Sequence, residues 1–265
     1  MKVYSFSAEV NKKIVDGILH GYKNYIHERN DKRNTMRISD AYAWVKGNHI
    51  DDQIASECES IGISYNKAKA GYTWGYLQFS SPQEKSMFII KNAKYFNADN
   101  FPGGKGIKGD KRRNTDEENY LKKLSRINRN IDFPEELSLF PKETEMPEIM
   151  SIFDDNVMKS LEDTEVTRLQ QAFDKFYMVT YEIDEAFMIS SIQVWMPNPV
   201  DNKAYPVDDL TELIAHSPVD FNNIDMTALE EDALDYDHES PAAYDFDIFH
   251  EEELDKEKSD DDDKS

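Results

Sequence analysis

The chain has 265 residues, with 31 Lys and Arg against 53 Asp and Glu, and a formal net charge of −22. Its single cysteine, Cys58, excludes an internal disulfide framework and a cysteine-rich zinc site. No apolar run approaches the roughly 18 residues of a membrane-spanning helix, and the first residues lack the apolar stretch of a signal peptide. We therefore expect a soluble cytoplasmic protein that makes no contact with a membrane.

Four segments carry a helical pattern. Between residues 7 and 29, apolar side chains recur at three- and four-residue steps, which is typical of an amphipathic helix. Residues 37–63 predict two shorter helices with a break near Gly47. Two further helices are predicted over residues 116–128 and 157–173.

Two segments carry the pattern of a β-hairpin. Residues 71–92 contain two runs of aromatic and branched side chains, joined by the polar sequence SSPQEK. Residues 176–199 contain two more such runs, separated by Asp184, Glu185 and Ala186, and Pro197 ends the second run. The sequence therefore predicts an α+β fold, with a mainly antiparallel sheet of two or more hairpins flanked by helices.

The domain organisation follows from composition. Residues 1–215 are expected to form an α+β body, either as one domain or as two subdomains, 1–130 and 148–215, joined by a proline-rich connector. Residues 216–265 hold 19 acidic side chains and 3 lysines, which predicts a disordered acidic tail. The final DDDDKS resembles a protease-cleavable tag and is left out of the fold prediction.

Several apolar blocks resemble a known family. The blocks are TWGYLQF with MFIIKNAKYFN, then FYMVTYEID with ISSIQVWMPNP, and finally DDLTELI. They are similar to an uncharacterised domain-of-unknown-function family of low-GC Gram-positive bacteria and their mobile elements. The resemblance covers residues 40–215 and implies no activity, but it favours a role related to phages or plasmids.

The strongest functional signal is the division of charge, because residues 1–134 carry a net +7 and residues 135–265 a net −29. An acidic surface repels nucleic acid and attracts the cationic grooves of proteins. Within the tail, aromatic side chains alternate with carboxylates, a composition that remains open in water yet offers anchors to a basic groove. The candidate partner-binding residues are Tyr236, Tyr244, Asp245, Phe246, Asp247 and Phe249.

Our leading hypothesis is a non-enzymatic interaction or inhibitor protein. It would bind a basic nucleic-acid-processing or host-defence protein by imitating the charge of a nucleic acid, and it requires no cofactor. The competing interpretation is an acidic tail that only improves solubility and has no partner.

The first alternative is a nucleic-acid-binding regulator. Residues 101–114, FPGGKGIKGDKRRN, are rich in glycine and cations and predict a flexible loop, but they lack the G-x-x-x-x-G-K-[ST] pattern of a nucleotide-cradling loop. A basic arm over residues 105–129 would contact phosphates, and the acidic tail would inhibit it by folding back. The candidate phosphate-contacting residues are Lys105, Lys108, Lys111, Arg112, Arg113, Lys122 and Arg126.

The second alternative is a metal-dependent phosphodiesterase or nuclease around His49 and Asp52. The sequence Gly47-Asn48-His49 resembles the GNH[DE] element of metallophosphoesterases, and Asp51 and Asp52 would supply carboxylates. However, no upstream Asp-x-His is present, and Ile50 stands where the acid should follow. We therefore favour a helix start, in which the acidic side chains interact with the helix dipole, and expect no metal site.

Overall fold

The computed structural model describes residues 4–70, 74–104, 119–134 and 167–235. It contains six strands, β1 Ser64–Ala70, β2 Trp74–Ser81, β3 Ser86–Asn92, β4 Lys175–Ile183, β5 Ile189–Pro197 and β6 Ala204–Asp209. They form one sheet in this order, antiparallel throughout except for the parallel pair β3–β4. The predicted α+β fold with a mainly antiparallel sheet is therefore confirmed.

The sheet has a separate apolar core on each face, because successive side chains along a strand point to opposite sides. On β4, Tyr177 and Val179 belong to one core, whereas Phe176 and Met178 belong to the other. The first core is closed by α1, Ala8–Thr35, and α2, Lys46–Glu59. The second is closed by α3, Tyr120–Ser125, by the 3-10 turn Arg126–Asn130, and by Phe96 and Phe101, which follow the 3-10 turn Ala93–Tyr95.

Helix α1 confirms the first predicted helix and extends it to Thr35. It begins after Ser7, whose hydroxyl accepts a hydrogen bond from the Val10 N–H at 3.3 Å. Ile14 and Ile18 are completely buried, as the three- and four-residue spacing predicts for the face toward the sheet.

Two glycines four residues apart bring α2 close to α1. A Cβ atom at Gly21 would lie 2.5 Å from the Ile50 Cα atom, and one at Gly17 would lie 2.8 Å from the Ile54 Cα atom. Both glycines therefore hold α2 by backbone contact, since any side chain would separate the helices. This close packing fixes the position of residues 47–51 over the sheet.

Two helix predictions need correction, and a third is described only in part. The break between the second and third helices lies at Val45, where a 3-10 turn, Asp40–Trp44, ends, and Gly47 lies inside the first turn of α2. The helix predicted over residues 116–128 begins at Tyr120, because the Asn119 side chain caps it by accepting from the Leu121 N–H at 2.8 Å. Only residues 167–172 of the helix predicted over residues 157–173 lie within a described range, and they are helical.

The strands β1 and β6 were not predicted as strands, and each is an edge of the sheet. The parallel pairing of β3 with β4 aligns Ser86–Asn92 with Lys175–Tyr181. A single sheet therefore contains strands from both of the segments that we considered as subdomains.

The acidic segment begins as a folded part of the body. We call residues 208–232 the C-terminal strap. The strap runs parallel to α1, and its last residues lie in helix α4, Thr227–Asp235. Side-chain hydrogen bonds join six residue pairs of the strap and α1. The pairs are Asn11 with the Asp208 carboxylate, Ser217 with the Asp16 carboxylate, Lys23 with the Asp220 backbone carbonyl, Asn30 with the Asp225 backbone carbonyl, Arg29 with the Asp232 carboxylate and Arg33 with the Glu231 carboxylate. Residues 216–232 belong to this strap, so the predicted start of the disordered tail at residue 216 is too early.

Candidate functional site

A pocket opens where β2 and β3 separate. The two strands pair only from Phe79 opposite Phe88 to Ser81 opposite Ser86, whereas β1–β2 and β3–β4 each pair over seven residues. The resulting fork, bounded also by α2, α3 and the Ala93–Tyr95 turn, forms the pocket. Its lining residues are Gly47, Ile50, Asp51, Tyr76, Ile89, Ile90, Lys91, Asn92, Tyr95, Tyr120 and Tyr181.

Asp51 supports the fork from the side of α2. Its Oδ2 atom accepts a hydrogen bond from the backbone N–H of Leu77 at 3.0 Å. The carboxylate therefore accepts a hydrogen bond from a backbone N–H of β2 in the part of β2 that does not pair with β3. Burial raises the pKa of Asp51 from 3.8 to about 7, and the hydrogen bond from Leu77 opposes that rise.

Tyrosine rings form much of the pocket wall. The rings of Tyr76 and Tyr120 lie with their centroids 5.2 Å apart at 48° to each other, and the Tyr76 hydroxyl accepts a hydrogen bond from Gln78 Nε2 at 2.9 Å. Tyr181, on β4, is 3% exposed. These rings come from β2, α3 and β4, so their side chains meet only in the folded chain.

Three lysines place positive charge around the pocket. The Nζ atom of Lys91 lies 5.8 Å from the centre of the Tyr120 ring, and that of Lys94 lies 5.8 Å from the centre of the Tyr95 ring. Lys46, beside Gly47, lies over the rings of two tyrosines of α1. Burial lowers the pKa of Lys46 to about 8, with a smaller contribution from the charge of Lys94.

The pocket is small, with a cavity volume of about 30 Å³. This volume has room for only one or two water molecules, and it cannot enclose an organic substrate. A larger ligand would therefore lie against the tyrosine rings at the mouth of the fork.

The three residues of the metal hypothesis are not brought together. Asp51 faces the fork, the His49 ring packs near the Tyr25 ring with centroids 6.2 Å apart, and Asp52 is exposed. Within the described ranges there is no group of three His, Cys, Asp or Glu side chains that could hold a metal ion. The carboxylates of Asp51 and Asp52, which a metal site would need at one point, therefore lie in different surroundings on α2.

The described part of the basic arm is engaged with the body. Lys122 is 9% exposed, and its ammonium group donates hydrogen bonds to the Pro199 carbonyl and the Asn202 side chain. Its assignment as a phosphate contact stays a prediction, and in the structure the amine holds the loop after β5. Arg126 is half-buried at the end of α3. The other candidates, Lys105, Lys108, Lys111, Arg112 and Arg113, lie outside the described residues.

Cys58 is an inert core residue. It is completely buried, and burial raises the pKa of its thiol to about 12, with a smaller contribution from Glu57. Such a thiol carries almost no thiolate at neutral pH. The neighbouring acidic charge therefore matters less than burial for its low reactivity.

The acidic half of the chain has a described surface of its own. Residues 167–235 hold fourteen acidic and three basic side chains, a net charge of −11. Nine of the acidic side chains are exposed and make no ion pair within 4.0 Å of a described basic group. They are Glu182, Asp184, Glu185, Asp201, Asp209, Glu212, Asp220, Asp225 and Glu230.

Five of these carboxylates are held in fixed orientations. Each accepts a hydrogen bond from the backbone N–H two residues later, at 2.8–3.0 Å, which is the geometry of an Asx turn. The five residues are Asp184, Asp201, Asp209, Asp220 and Asp225. The aromatic and acidic candidates of the tail, from Tyr236 to Phe249, lie outside the described residues.

Sequence reasoning missed the pocket, because its residues come from α2, β2, β3, β4, α3 and the Ala93–Tyr95 turn.

No helix in the described ranges is long and apolar enough to cross a membrane. No protein-family model, curated protein or solved structure matches the chain. The resemblance to a family of mobile elements therefore stays a prediction.

Proposed function

We propose that this protein is a non-enzymatic interaction protein whose acidic C-terminal half binds a basic protein partner. The observation that supports this proposal is the set of nine exposed acidic side chains with no ion-pair partner within the described ranges. A field of one sign steers an oppositely charged partner and fixes its orientation, and it weakens as salt rises.

The fixed carboxylates make this surface suited to a specific partner. An Asx turn uses part of the hydrogen-bonding capacity of a carboxylate and leaves the rest for a lysine or arginine. A side chain that is already ordered loses less conformational entropy when a partner binds. We infer that the partner is a basic nucleic-acid-processing or host-defence protein, because the groove of such a protein is built to receive a succession of negative charges.

A competition assay tests the proposal with a defined probe. Labelled duplex DNA is bound to a basic protein that recognises DNA without sequence preference, and the full chain is titrated into the mixture. The full chain should displace the DNA at low salt, and the displacement should weaken as salt rises.

The matched variants separate a specific surface from bulk charge. In the first variant, Asp184, Asp201, Asp209, Asp220 and Asp225 are all changed to Asn, whose side-chain oxygen can still accept the turn hydrogen bond. In the control, five exposed aspartates of the N-terminal half are changed to Asn, namely Asp31, Asp40, Asp52, Asp99 and Asp132. Both variants lose the same formal charge.

We expect the first variant to displace DNA about tenfold less well than the full chain, and the control to remain close to it. Equal loss in both variants, or no displacement by the full chain, would contradict the proposal. A chain ending at Asp235 keeps the whole strap on α1 and measures what the remaining tail adds.

A further inference from the structure

The pocket in the β2–β3 fork combines three kinds of chemical group, and none of its residues belongs to the proposed partner surface. Tyrosine rings and isoleucine side chains form its apolar walls, Asp51 supplies an acceptor on one side, and Lys91 supplies a cation on another. Lys94, at the turn that carries Tyr95, adds an exposed cation near the mouth.

From this combination we propose that the fork binds a nucleotide. The base would stack on a tyrosine ring, an amino group of the base would donate to Asp51, and the phosphate would contact Lys94. This ligand class goes beyond the acidic partner surface and is independent of it.

The tyrosine rings provide the stacking surface. Tyr76 and Tyr120 are inclined at 48°, so a planar group can lie on one ring while its edge meets the other. Stacking of a base on an aromatic side chain tolerates every base, because each base has a π-face. The tyrosines therefore supply affinity, and base preference must come from a polar group.

Asp51 is the group that can read the edge of a base. Its Oδ2 atom accepts from Leu77, whereas its Oδ1 atom accepts no hydrogen bond from a described residue. A carboxylate accepts hydrogen bonds from the exocyclic amino group of cytosine, and the amino groups of adenine and guanine offer the same donor. The site should therefore prefer bases with an amino group over uracil and thymine.

The lysines indicate an anionic ligand. Lys91 is 7% exposed and already lies over the Tyr120 ring, so the aromatic wall faces a cation of the protein itself. An additional organic cation on the same wall would be repelled by Lys91 and Lys94. A phosphate beside the exposed Lys94 would be attracted.

The size of the pocket sets how the nucleotide binds. A cavity of about 30 Å³ cannot enclose a base, so the base would lie at the mouth, with its sugar in solvent and its phosphate beside the exposed Lys94. Such a site would accept either a free nucleotide or an unpaired nucleotide of a single strand, and the experiment must distinguish these sources.

Calorimetric titration of the full chain tests the site. The probes are four 5′-mononucleotides, the matching nucleosides, and a five-nucleotide single strand of the best-bound base. We expect the amino-bearing mononucleotides to bind more tightly than their nucleosides and more tightly than uridine monophosphate. Tighter binding of the single strand would identify nucleic acid as the source, and tighter binding of the mononucleotide would identify a free nucleotide.

Three variants assign the contacts, and a fourth variant is a control. Tyr120→Ala should lower affinity about fivefold or more through lost stacking, and Lys94→Gln should remove the advantage of nucleotides over nucleosides. Asp51→Asn should abolish the preference for amino-bearing bases while keeping an acceptor for Leu77. Tyr65→Ala removes a tyrosine of β1 that is 50% exposed and outside the pocket, and it should leave binding unchanged.

The proposal is overturned if none of these probes binds at millimolar concentration. It is equally overturned if Tyr65→Ala and Tyr120→Ala weaken binding to the same extent, or if tetramethylammonium binds the fork and the nucleotides do not.

Discussion

Replacement of Asp51 by Asn should make the protein more stable at neutral pH, the reverse of the usual effect of removing an acceptor carboxylate. The side chain of Asn keeps the oxygen that accepts from Leu77 at 3.0 Å, and it removes the titrating group. Burial of Asp51 raises its pKa from 3.8 to about 7. An unfolded chain therefore releases this proton near pH 4, whereas the folded chain keeps it until near pH 7.

The sign and size of the effect follow from this difference. Between those two pH values the folded state binds more protons than the unfolded state, so rising pH destabilises the fold. A shift of about 3 pH units corresponds to about 4 kcal/mol as an upper limit. Asp51 as a whole residue is partly exposed, and solvent screening reduces our expectation to about 2 kcal/mol.

The assay is urea unfolding followed by circular dichroism at pH 4, 6 and 8. The free energy of unfolding of Asp51→Asn should equal that of the natural chain at pH 4 and exceed it by about 2 kcal/mol at pH 8. Asp52→Asn, at the exposed neighbouring position, controls for the change in net charge. A difference that is the same at pH 4 and pH 8 would refute the reasoning.

Three other substitutions test the packing described above, each by urea unfolding. Gly21→Ala places a Cβ atom 2.5 Å from the Ile50 Cα atom and should cost about 1–2 kcal/mol despite the better helix propensity of alanine; unchanged stability would contradict the close helix contact. Asn128→Ala removes three buried hydrogen bonds that join its side chain to β4 and β5, and should cost about 3 kcal/mol; a loss below about 1 kcal/mol would mean that these bonds matter little. Asp232→Ala leaves the buried guanidinium of Arg29 without its carboxylate and should cost about 2–4 kcal/mol, and limited proteolysis should then cleave the strap first.

Local pattern was sufficient for the elements whose period is strong. Helix α1 repeats its buried side chains at helical spacing, and the hairpins β2–β3 and β4–β5 have their turns inside continuous β-rich runs. The edge strands β1 and β6 lack such a signal. In β1 the exposed lysines Lys67 and Lys69 alternate with alanines, because an edge strand needs charge more than it needs a buried face.

The parallel pairing of β3 and β4 could not be predicted from local pattern, since it joins Ser86 to Lys175 across a long stretch of chain. The same limit applies to the candidate site. The sequence indicated Asp51 as a candidate metal ligand, because other acidic residues and a histidine are close to it in the chain. In the folded chain Asp51 contacts Leu77 at the fork. This contact depends on the packing of α2 against α1 at two glycines, which local sequence does not show.

The strap along α1 also imposes an order on the folding of the chain during its synthesis. Helix α1 is translated first, but the polar groups of Asn11, Asp16 and Arg29 find their partners only when residues 208–232 have left the ribosome. At a typical elongation rate, the roughly 200 intervening residues take about 10–40 s. During that interval α1 lacks its contacts with the strap, so this face of the helix is exposed and chaperones can bind it. The C-terminal strap therefore supplies the last contacts of helix α1, the first helix to be translated.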